Sequence, residues 1–253
     1  MGTNTFHDLH RRERPLLLPN AWDFASGAAL AEAGFPAIGT TSLGVAAAAG
    51  KPDAEGGTRA ETLALTRALV RLPVPITVDI EGGFSELPEE VAALAAELDS
   101  CGVAGINIED GRPGGSLAPP GPQCVLIEAI KEAAPGLFVN ARTDAYWLSG
   151  HEEEALERVR AYTEAGADGV FVPGIAEERD VRAVVDATPL PVNVLFLPGR
   201  VTVDGLAAMG VRRISYGSLL FRAALRAAVT TALEHRPPEG TPSYADVQRL
   251  VSG

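Results

Sequence analysis

The sequence has 253 residues, of which 46% are hydrophobic, and its 33 acidic and 21 basic side chains give a net charge of −12. That length and hydrophobic content suffice for one large core and match the usual size of a single α/β-barrel domain. The acidity disfavours nucleic acid and anionic membrane surfaces as partners, because both are negatively charged. A small anionic substrate held by a metal ion remains compatible with it.

The cysteines and the N-terminus indicate the compartment. Cys101 and Cys124 show no zinc-ligand spacing and imply no disulfide framework, which favours a reducing environment. Residues 1–14 are polar and lack the apolar core of a secretion signal. No apolar run approaches the roughly 20 residues that span a membrane. We therefore expect a cytoplasmic protein without a membrane segment.

One pattern recurs along the chain, in which a helical stretch ends at a glycine and an apolar strand follows. It occurs at Gly34, Gly102, Gly166 and Gly210. Glycine accepts the left-handed conformation that ends a helix, so each unit is predicted to be helix, cap and buried strand. Together with further apolar runs, the pattern predicts eight strands, near residues 16, 37, 76, 105, 137, 169, 191 and 213.

These strands predict the fold class. Short, apolar strands that hardly alternate are buried on both faces, as in parallel sheets. Eight of them separated by helices predict a (β/α)8 TIM barrel, with a doubly wound open sheet as the alternative. We expect residues 1–253 to form one barrel domain, in which residues 236–253 are a linker and a C-terminal helix capped by Ser243.

Charged side chains end three successive predicted strands: Asp79 and Glu81, then Glu109 and Asp110, then Arg142 and Asp144. A parallel barrel gathers the C-terminal ends of its strands on one face, so these groups should converge. Oxygen-rich clusters of this kind suit Mg²⁺ or Mn²⁺. Structural alternatives exist, since Asp79 can cap a helix and Arg142 can form a salt bridge with Glu109 or Asp144. Asp110 and Asp144 are expected to hold the arginine or to cap helices.

Few residues at the strand ends are available for other kinds of catalysis. Neither the two lysines nor the four histidines end a strand, which argues against a Schiff-base aldolase, a histidine-ligated zinc and a Ser-His-Asp triad. Cys124 is predicted to begin a helix, where a reactive thiol is an alternative to packing. Ser42 and Asn193 stand at two further strand ends. The set suits a divalent metal chelated by a 2-oxo acid, with Arg142 binding the carboxylate bidentately.

Five segments in this order resemble the isocitrate lyase/phosphoenolpyruvate mutase superfamily over nearly the whole chain: Thr40-Thr41-Ser42-Leu43-Gly44, Gly50-Lys51-Pro52-Asp53, Asp79-Ile80-Glu81, Asn107-Ile108-Glu109-Asp110 and Ala141-Arg142-Thr143-Asp144-Ala145. Any single segment is unspecific, whereas the combination is specific. The resemblance implies a (β/α)8 barrel in a homodimer or homotetramer, with a C-terminal helix that is often exchanged between subunits.

The resemblance also implies roles for individual residues. It implies Mg²⁺ bound at Asp79, Glu81 and Glu109, partly through water. It implies a substrate pocket formed by these residues: Thr41, Ser42, Leu43, Gly44, Asp53, Arg142, Asn193 and Arg112. Ser42, Asp53 and Arg142 are the expected catalytic members. The shared chemistry is cleavage or formation of a C–C or P–C bond next to a 2-oxo acid, through a metal-stabilised enolate.

One loop departs from the best-known members of that superfamily. The lyases carry a Lys-Lys-Cys-Gly-His loop, and the phosphonate mutases a lysine and an asparagine, where this chain has residues 111–122 without any of these. This argues against isocitrate lyase, methylisocitrate lyase and strict phosphoenolpyruvate mutase activity. The glycine and proline content of the segment predicts a mobile lid. Arg112 is predicted to reach a second anionic group of the substrate when that lid closes.

We therefore predict a Mg²⁺-dependent enzyme acting on a small 2-oxo or 2-hydroxy carboxylate. Decarboxylation of an oxaloacetate-like acid or cleavage of a substituted malate demands least from the missing loop residues. Phosphonopyruvate-type chemistry, by a phosphonomutase or hydrolase, is the enzymatic alternative. A barrel that binds a 2-oxo acid without turnover is the alternative of a different class.

Overall fold

The computed structural model describes residues 6–252, so the predicted domain of residues 1–253 extends beyond it at both ends. Its strands are β1 (Leu16–Leu18), β2 (Asn20–Ala21), β3 (Ile38–Thr40), β4 (Ile76–Asp79), β5 (Gly105–Glu109), β6 (Gly111–Arg112), β7 (Ser116–Leu117), β8 (Phe138–Arg142), β9 (Gly169–Val172), β10 (Val192–Leu195) and β11 (Arg213–Ser215). Its helices are α1 (Phe6–Leu9), α2 (Phe24–Glu32), α3 (Ser42–Ala48), α4 (Arg59–Leu69), α5 (Pro88–Ser100), α6 (Pro120–Ala133), α7 (Ala155–Glu164), α8 (Glu178–Asp186), α9 (Val203–Ala208), α10 (Leu219–Glu234) and α11 (Tyr244–Val251), and Glu152–Glu154 form a 3₁₀ turn before α7.

Nine parallel strands form a nearly closed barrel in the order β1-β11-β10-β9-β8-β5-β4-β3-β2. The two edge strands, β1 and β2, are separated only by Pro19, which lacks the N–H that a continuous strand would use. They are the two halves of the first predicted strand, one paired with β11 and the other with β3. The predicted (β/α)8 barrel is therefore confirmed, with its first strand divided.

The repeated glycines have the predicted role. Gly34, Gly102, Gly166 and Gly210 adopt φ angles of 90°, 89°, 91° and 93°, and each lies between a helix and the following strand. Side chains with a Cβ rarely adopt this left-handed conformation, so glycine fixes where each helix ends. These turns lie at the N-terminal face of the barrel and leave the opposite face to the longer loops.

The core has two outer layers and a plug. Apolar side chains of the strands pack against the surrounding helices in two clusters, one under α4, α5 and α6 and the other under α7, α8 and α9. At the N-terminal face, α1 closes the barrel with Phe6 and Leu9 against Phe138. A Cβ on Gly105 or Gly169 would lie 3.0 Å from the Phe138 side chain, so these two glycines leave space for that side chain.

The C-terminal segment ends in the predicted helix. Ser243 Oγ accepts a hydrogen bond from the Asp246 N–H at 3.2 Å and so caps α11, as predicted. This helix packs against α2 of the same chain, where Arg249 lies 3.8 Å from Glu32. Across residues 6–252, none of the helices is long and apolar enough to cross a membrane.

Candidate active site

The C-terminal ends of β4, β5 and β8 bring charged side chains together around one arginine. Arg142 Nη1 lies 2.6 Å from Glu109 Oε2 and 3.9 Å from Asp79 Oδ2, and Arg142 Nε lies 2.6 Å from Asp144 Oδ1. Strand register explains the convergence, because Glu109 pairs with Arg142 across the β5–β8 ladder. The predicted cluster therefore forms. The salt-bridge alternative for Arg142 also holds in this structure, and within residues 6–252 only its Nη2 is without a protein partner.

Glu81 is directed away from this cluster. Its carboxylate accepts hydrogen bonds from the Gly56 N–H at 2.9 Å and from Thr58 Oγ1 at 2.5 Å. Its backbone has a φ of 51°, an uncommon conformation for a residue with a side chain, and its N–H donates to Asp79 Oδ1 at 3.1 Å. Glu81 thus ties the loop after α3 to the end of β4, and backbone strain is concentrated beside the cluster.

Burial dominates the electrostatics of the cluster. It raises the pKa of Asp79 to about 6, against the opposing effect of Arg142. Burial and the neighbouring carboxylates likewise raise the pKa of Glu109 and of Asp144. Burial alone would lower the pKa of Arg142, but the three carboxylates outweigh it and raise that pKa. One guanidinium therefore faces more negative charge than it balances, which favours an additional cation.

The start of α3 forms another wall of the site. Thr41 is the N-cap, and Ser42 and Leu43 occupy the first turn, where backbone N–H groups have no intrahelical partner and can bind an anion. Gly44 is buried behind them: a Cβ there would lie 2.7 Å from Thr41 Cγ2 and 2.8 Å from Trp22 Cβ. Gly44 therefore serves close packing under the wall rather than lining it.

Two adjoining cavities, of about 90 and about 250 Å³, lie over the cluster. Both are lined by Ser42, Asp53, Arg142 and Trp147. The smaller and deeper cavity adds these side chains: Asn20, Thr41, Leu43, Asp79, Asn107, Phe171, Pro173, Leu195, Ser215 and Ser218. The Oδ1 atom of Asp53 is buried and has no hydrogen-bond partner among the residues described. The loop residue that composition alone would assign to a turn thus lies in the site.

The segment after β5, which was predicted to be a mobile lid, contains regular secondary structure. Residues 111–117 form a hairpin of β6 and β7, and α6 begins at Pro120, so the connecting segment is shorter than expected. Proline is favoured in the first turn of a helix, where its missing N–H costs nothing. Arg112 lines the larger cavity, but its guanidinium donates to the carbonyls of Glu109 and Gly111, at 3.0 and 2.8 Å, and to Gln123 Oε1.

Three predicted residues take other positions. Asn193 is buried inside the barrel, where its Oδ1 accepts a hydrogen bond from Ser215 Oγ at 3.1 Å, and it does not line either cavity. Asp110 holds an arginine, as expected, but the arginine is Arg158, at 3.1 Å. Cys124 lies one turn inside α6 rather than at its start, and burial and nearby glutamates raise the pKa of its thiol. A raised pKa argues against a reactive thiolate.

Some cavity residues were not predicted. Asn107 stands two positions before Glu109 on β5, and residues two apart share one face of a strand, so strand alternation gave a signal for it. The same alternation gave a weaker signal for Phe171, because β9 has no charged residue at its end to mark which face points into the site. Trp147 lies in the loop after β8 and is 53% exposed, and no sequence pattern distinguished it.

The residues present fit a divalent cation held largely through water. Within residues 6–252 there is no group of three or more His, Cys, Asp or Glu side chains positioned to chelate a metal directly. Mg²⁺ commonly takes one or two carboxylates and keeps several waters. Asp79, with its raised pKa, and Glu109 offer oxygen ligands beside the unpartnered Asp53 Oδ1. The Glu81 carboxylate is hydrogen-bonded to Gly56 and Thr58, so it would contact the cation through water rather than directly.

The sequence profile of the phosphoenolpyruvate phosphomutase family matches residues 6–236. The chain belongs to this family. An uncharacterised protein of Mycobacterium tuberculosis is 42% identical over 98% of this chain and 96% of its own length. A 2-methylisocitrate lyase of Bacillus subtilis is 33% identical over 84% of this chain and 74% of its own length. A crystal structure assigned as a phosphonomutase of Burkholderia cenocepacia is 37% identical, with a TM-score of 0.86 over 91% of this chain and 97% of that one.

These matches confirm the resemblance to the isocitrate lyase/phosphoenolpyruvate mutase superfamily. Its members are lyases and mutases, so the chain is an enzyme of this superfamily. Members of the superfamily generally depend on a divalent metal ion. They act on small carboxylates or phosphonates.

Proposed function

We propose that this phosphoenolpyruvate phosphomutase family member is a Mg²⁺- or Mn²⁺-dependent lyase that cleaves a C–C bond adjacent to a 2-oxo acid. An oxaloacetate-like acid, which would be decarboxylated, and a substituted malate are the candidate substrates. The observation that carries the proposal is the buried cluster of Asp79, Glu109 and Asp144 around Arg142, next to two adjoining cavities. Glu109, Asp144 and Arg142 line the cavity of about 250 Å³, and Asp79 and Arg142 line the cavity of about 90 Å³. A cavity of that size suits a substrate of a few carbon atoms.

The metal would be held by Asp79, with Glu81 and Glu109 acting through water. When bound, it would supply positive charge that stabilises the enolate left by bond cleavage. Ser42 and Leu43 lie in the first turn of α3 and line the smaller cavity, and their N–H groups would bind a substrate carboxylate. Arg142 contributes its unpartnered Nη2 to the same group. Its bidentate binding, as expected from sequence, would require release of Glu109 or Asp144.

The residues around the lid favour a reaction that needs no loop acid. Cys124 lies in α6 with a raised pKa, and the hairpin of β6 and β7 contains neither cysteine nor lysine. Decarboxylation leaves an enolate that water can protonate, so it makes no demand on this hairpin. Asp53, with its unpartnered Oδ1, is the side chain best placed to exchange a proton with the substrate or its water.

Phosphonopyruvate-type chemistry is the second candidate. The 37% identity to the structure assigned as a phosphonomutase favours it. The same pocket would bind a phosphonate in place of a second carboxylate. Both candidates use the same metal-binding residues, so the bond that breaks has to be identified from the products.

A substrate screen tests the proposal. Purified protein is incubated with Mg²⁺ and a panel of 2-oxo acids, malates and phosphonates, and products are identified by mass spectrometry. We expect product from an oxaloacetate-like acid or a substituted malate, loss of turnover with EDTA, and recovery with Mg²⁺ or Mn²⁺. Asp79→Ala, shown to be folded by circular dichroism, is the negative control. Turnover in metal-free protein, or product only from phosphonates, would contradict the lyase proposal. Saturable binding with no product would indicate a binding protein.

We also propose that the enzyme is a homodimer or homotetramer. Leu225, Val229 and Leu233 on α10 are 52%, 54% and 75% exposed, which forms an apolar stripe of the kind that oligomer interfaces cover. Light scattering after size exclusion measures the assembly. A monomer at micromolar concentration would contradict this part of the proposal.

A further inference from the structure

Asn107 accepts two hydrogen bonds from deep inside the barrel. Asn140 Nδ2 donates to its Oδ1 at 2.8 Å, and Arg213 Nη2 donates to the same oxygen at 3.1 Å. Asn140 is in register with Asn107 on the neighbouring strand, whereas Arg213 comes from β11. All three are at most 4% exposed. Two donors on one oxygen fix which way the amide is turned, because the opposite orientation would place an NH₂ group against them.

That orientation has a consequence for the cavity. Asn107 lines the smaller cavity and is in register with Asp79 on β4. Its carbonyl end faces the buried donors, so its Nδ2 is the end directed toward the cavity. Within residues 6–252 this Nδ2 has no hydrogen-bond partner, and it is not buried. An amide donor held in place beside a candidate metal ligand is suited to an oxygen of a bound molecule.

Arg213 needs an explanation other than packing. It is 1% exposed, its Nη1 has no hydrogen-bond partner among the residues described, and none of their carboxylates forms a salt bridge with it. Its Nε donates to Ser215 Oγ at 3.2 Å, and Ser215 also lines the cavity. A buried unpaired charge is costly, and burial lowers the pKa of Arg213 to about 9, opposed by Asp79. Both residues to which Arg213 donates, Asn107 and Ser215, line the cavity.

We infer that Asn107 is a substrate-binding residue whose Nδ2 donates to an oxygen of the bound 2-oxo acid, and that Arg213 and Asn140 are the residues that position it. The inference rests on the proposed function, because it takes a 2-oxo acid as the ligand. Gly169 is part of the arrangement. A Cβ there would lie 3.1 Å from Asn140 Oδ1 and would crowd the residue that helps to orient Asn107.

The test measures binding of oxalate and of pyruvate, each with Mg²⁺, by isothermal titration calorimetry. We expect Asn107→Ala to weaken binding about tenfold, the effect of one lost hydrogen bond to a charged ligand. Asn107→Asp keeps the shape and both accepted hydrogen bonds but has no donor, so it should bind more weakly still. A purely structural role predicts the reverse, since the introduced carboxylate would pair with Arg213 and keep the network. Thr77→Val, at a buried barrel position without a partner for its hydroxyl, is the control and should bind as wild type.

A double-mutant cycle tests the positioning role. Arg213→Met should weaken binding by about tenfold in the wild-type background and by less than about twofold when Asn107 is already alanine. Equal losses in both backgrounds would show that Arg213 acts independently of Asn107 and would overturn the positioning role. If Arg213→Met does not fold, Asn140→Leu takes its place in the same cycle.

The outcomes separate this inference from the proposed function. Wild-type protein that binds neither oxalate nor pyruvate in the presence of Mg²⁺ would overturn the proposed function and the inference with it. Wild-type binding that is unchanged in Asn107→Ala and in Asn107→Asp would overturn the inference alone.

Discussion

At the C-terminal face of the barrel, Asp79, Glu109 and Asp144 crowd around a single guanidinium, and burial raises the pKa of each carboxyl. At the N-terminal face, Asp168 Oδ2 accepts hydrogen bonds from Lys131 Nζ at 2.7 Å and from the Val139 N–H at 2.9 Å. Negative charge thus exceeds positive charge in the cluster at the C-terminal face, whereas the carboxylate at the N-terminal face has a lysine partner.

The difference shows which end is built for stability. Paired charges and apolar contacts at the N-terminal face contribute to folding, while the unbalanced carboxylates at the C-terminal face cost folding free energy until a cation arrives. Glu81, with its left-handed backbone, adds strain at that same face. Conversely, His10 at the N-terminal face stacks on Phe138, with ring centroids 4.2 Å apart, and burial lowers its pKa to about 3.

The largest expected effect is on turnover, and it is seen by comparing two variants, each of which lacks one aspartate at one face. Asp79→Ala should lower turnover by about 10³-fold or more and leave the protein folded, because it removes a metal-binding group that contributes little to the core. Asp168→Ala should lose about 1–3 kcal/mol of unfolding free energy through its unpaired partners and keep its turnover. Steady-state kinetics and urea unfolding of both variants measure the contrast. The comparison breaks down if Asp168→Ala is as inactive as Asp79→Ala while still folded.

The next effect concerns His10. Its pKa is about 3 in the folded protein against 6.5 for an ordinary histidine, so between these values only the unfolded chain takes up the proton. Its stability contribution is therefore lost as the pH falls through this window, by about 3 kcal/mol at pH 4.5. His10→Phe, which retains the stacking surface, should unfold less readily than wild type as the pH is lowered. Denaturant titrations of both proteins from pH 7.5 to 4.5 test this. A stability difference that stays constant over that range would refute it.

Asp79 should show the opposite dependence. Its pKa is raised from 3.8 to about 6 on folding, so its contribution to stability is full below 3.8 and is lost as the pH rises through 6. In metal-free protein at pH 7.5, Asp79→Asn should therefore raise the unfolding free energy by up to about 3 kcal/mol, and the gain should vanish near pH 4. Mg²⁺ should shrink the gain, since it stabilises the ionised wild-type carboxylate. A variant that is less stable than wild type in EDTA at pH 7.5 would contradict this account.

Features of both faces could be predicted from the sequence. The glycine that ends each helix is visible in the sequence, and the strand that follows it could therefore be located. Barrel topology then predicted that Asp79, Glu109 and Arg142 converge. Local rules were enough because register between neighbouring strands places their ends side by side. The start of α6 at Pro120 carried a local signal as well, although the loop composition concealed it.

The remaining features depend on contacts between distant residues. The direction of Glu81 is set by Gly56 and Thr58, about 25 residues earlier in the chain. The position of Arg213 inside the barrel opposes the rule that charges lie outside, and its hydrogen bond to Asn107 spans 106 residues. Neither pattern is visible in a window of sequence.

The smallest expected effect concerns the two cysteines, which lie away from the C-terminal cavities. Cys101 is the C-cap residue of α5, and Cys124 lies inside α6, where burial first and then Glu128 and Glu164 raise the pKa of its thiol. A thiol with a raised pKa is protonated at neutral pH and is a poor nucleophile or proton carrier. The double variant Cys101→Ser, Cys124→Ser should therefore keep its turnover within about twofold, with a small loss of stability from the half-buried sites. Kinetics on the folded variant measure this directly. A loss of a hundredfold or more, with circular dichroism unchanged, would mean that a thiol serves the reaction and that chemistry is not confined to the C-terminal face.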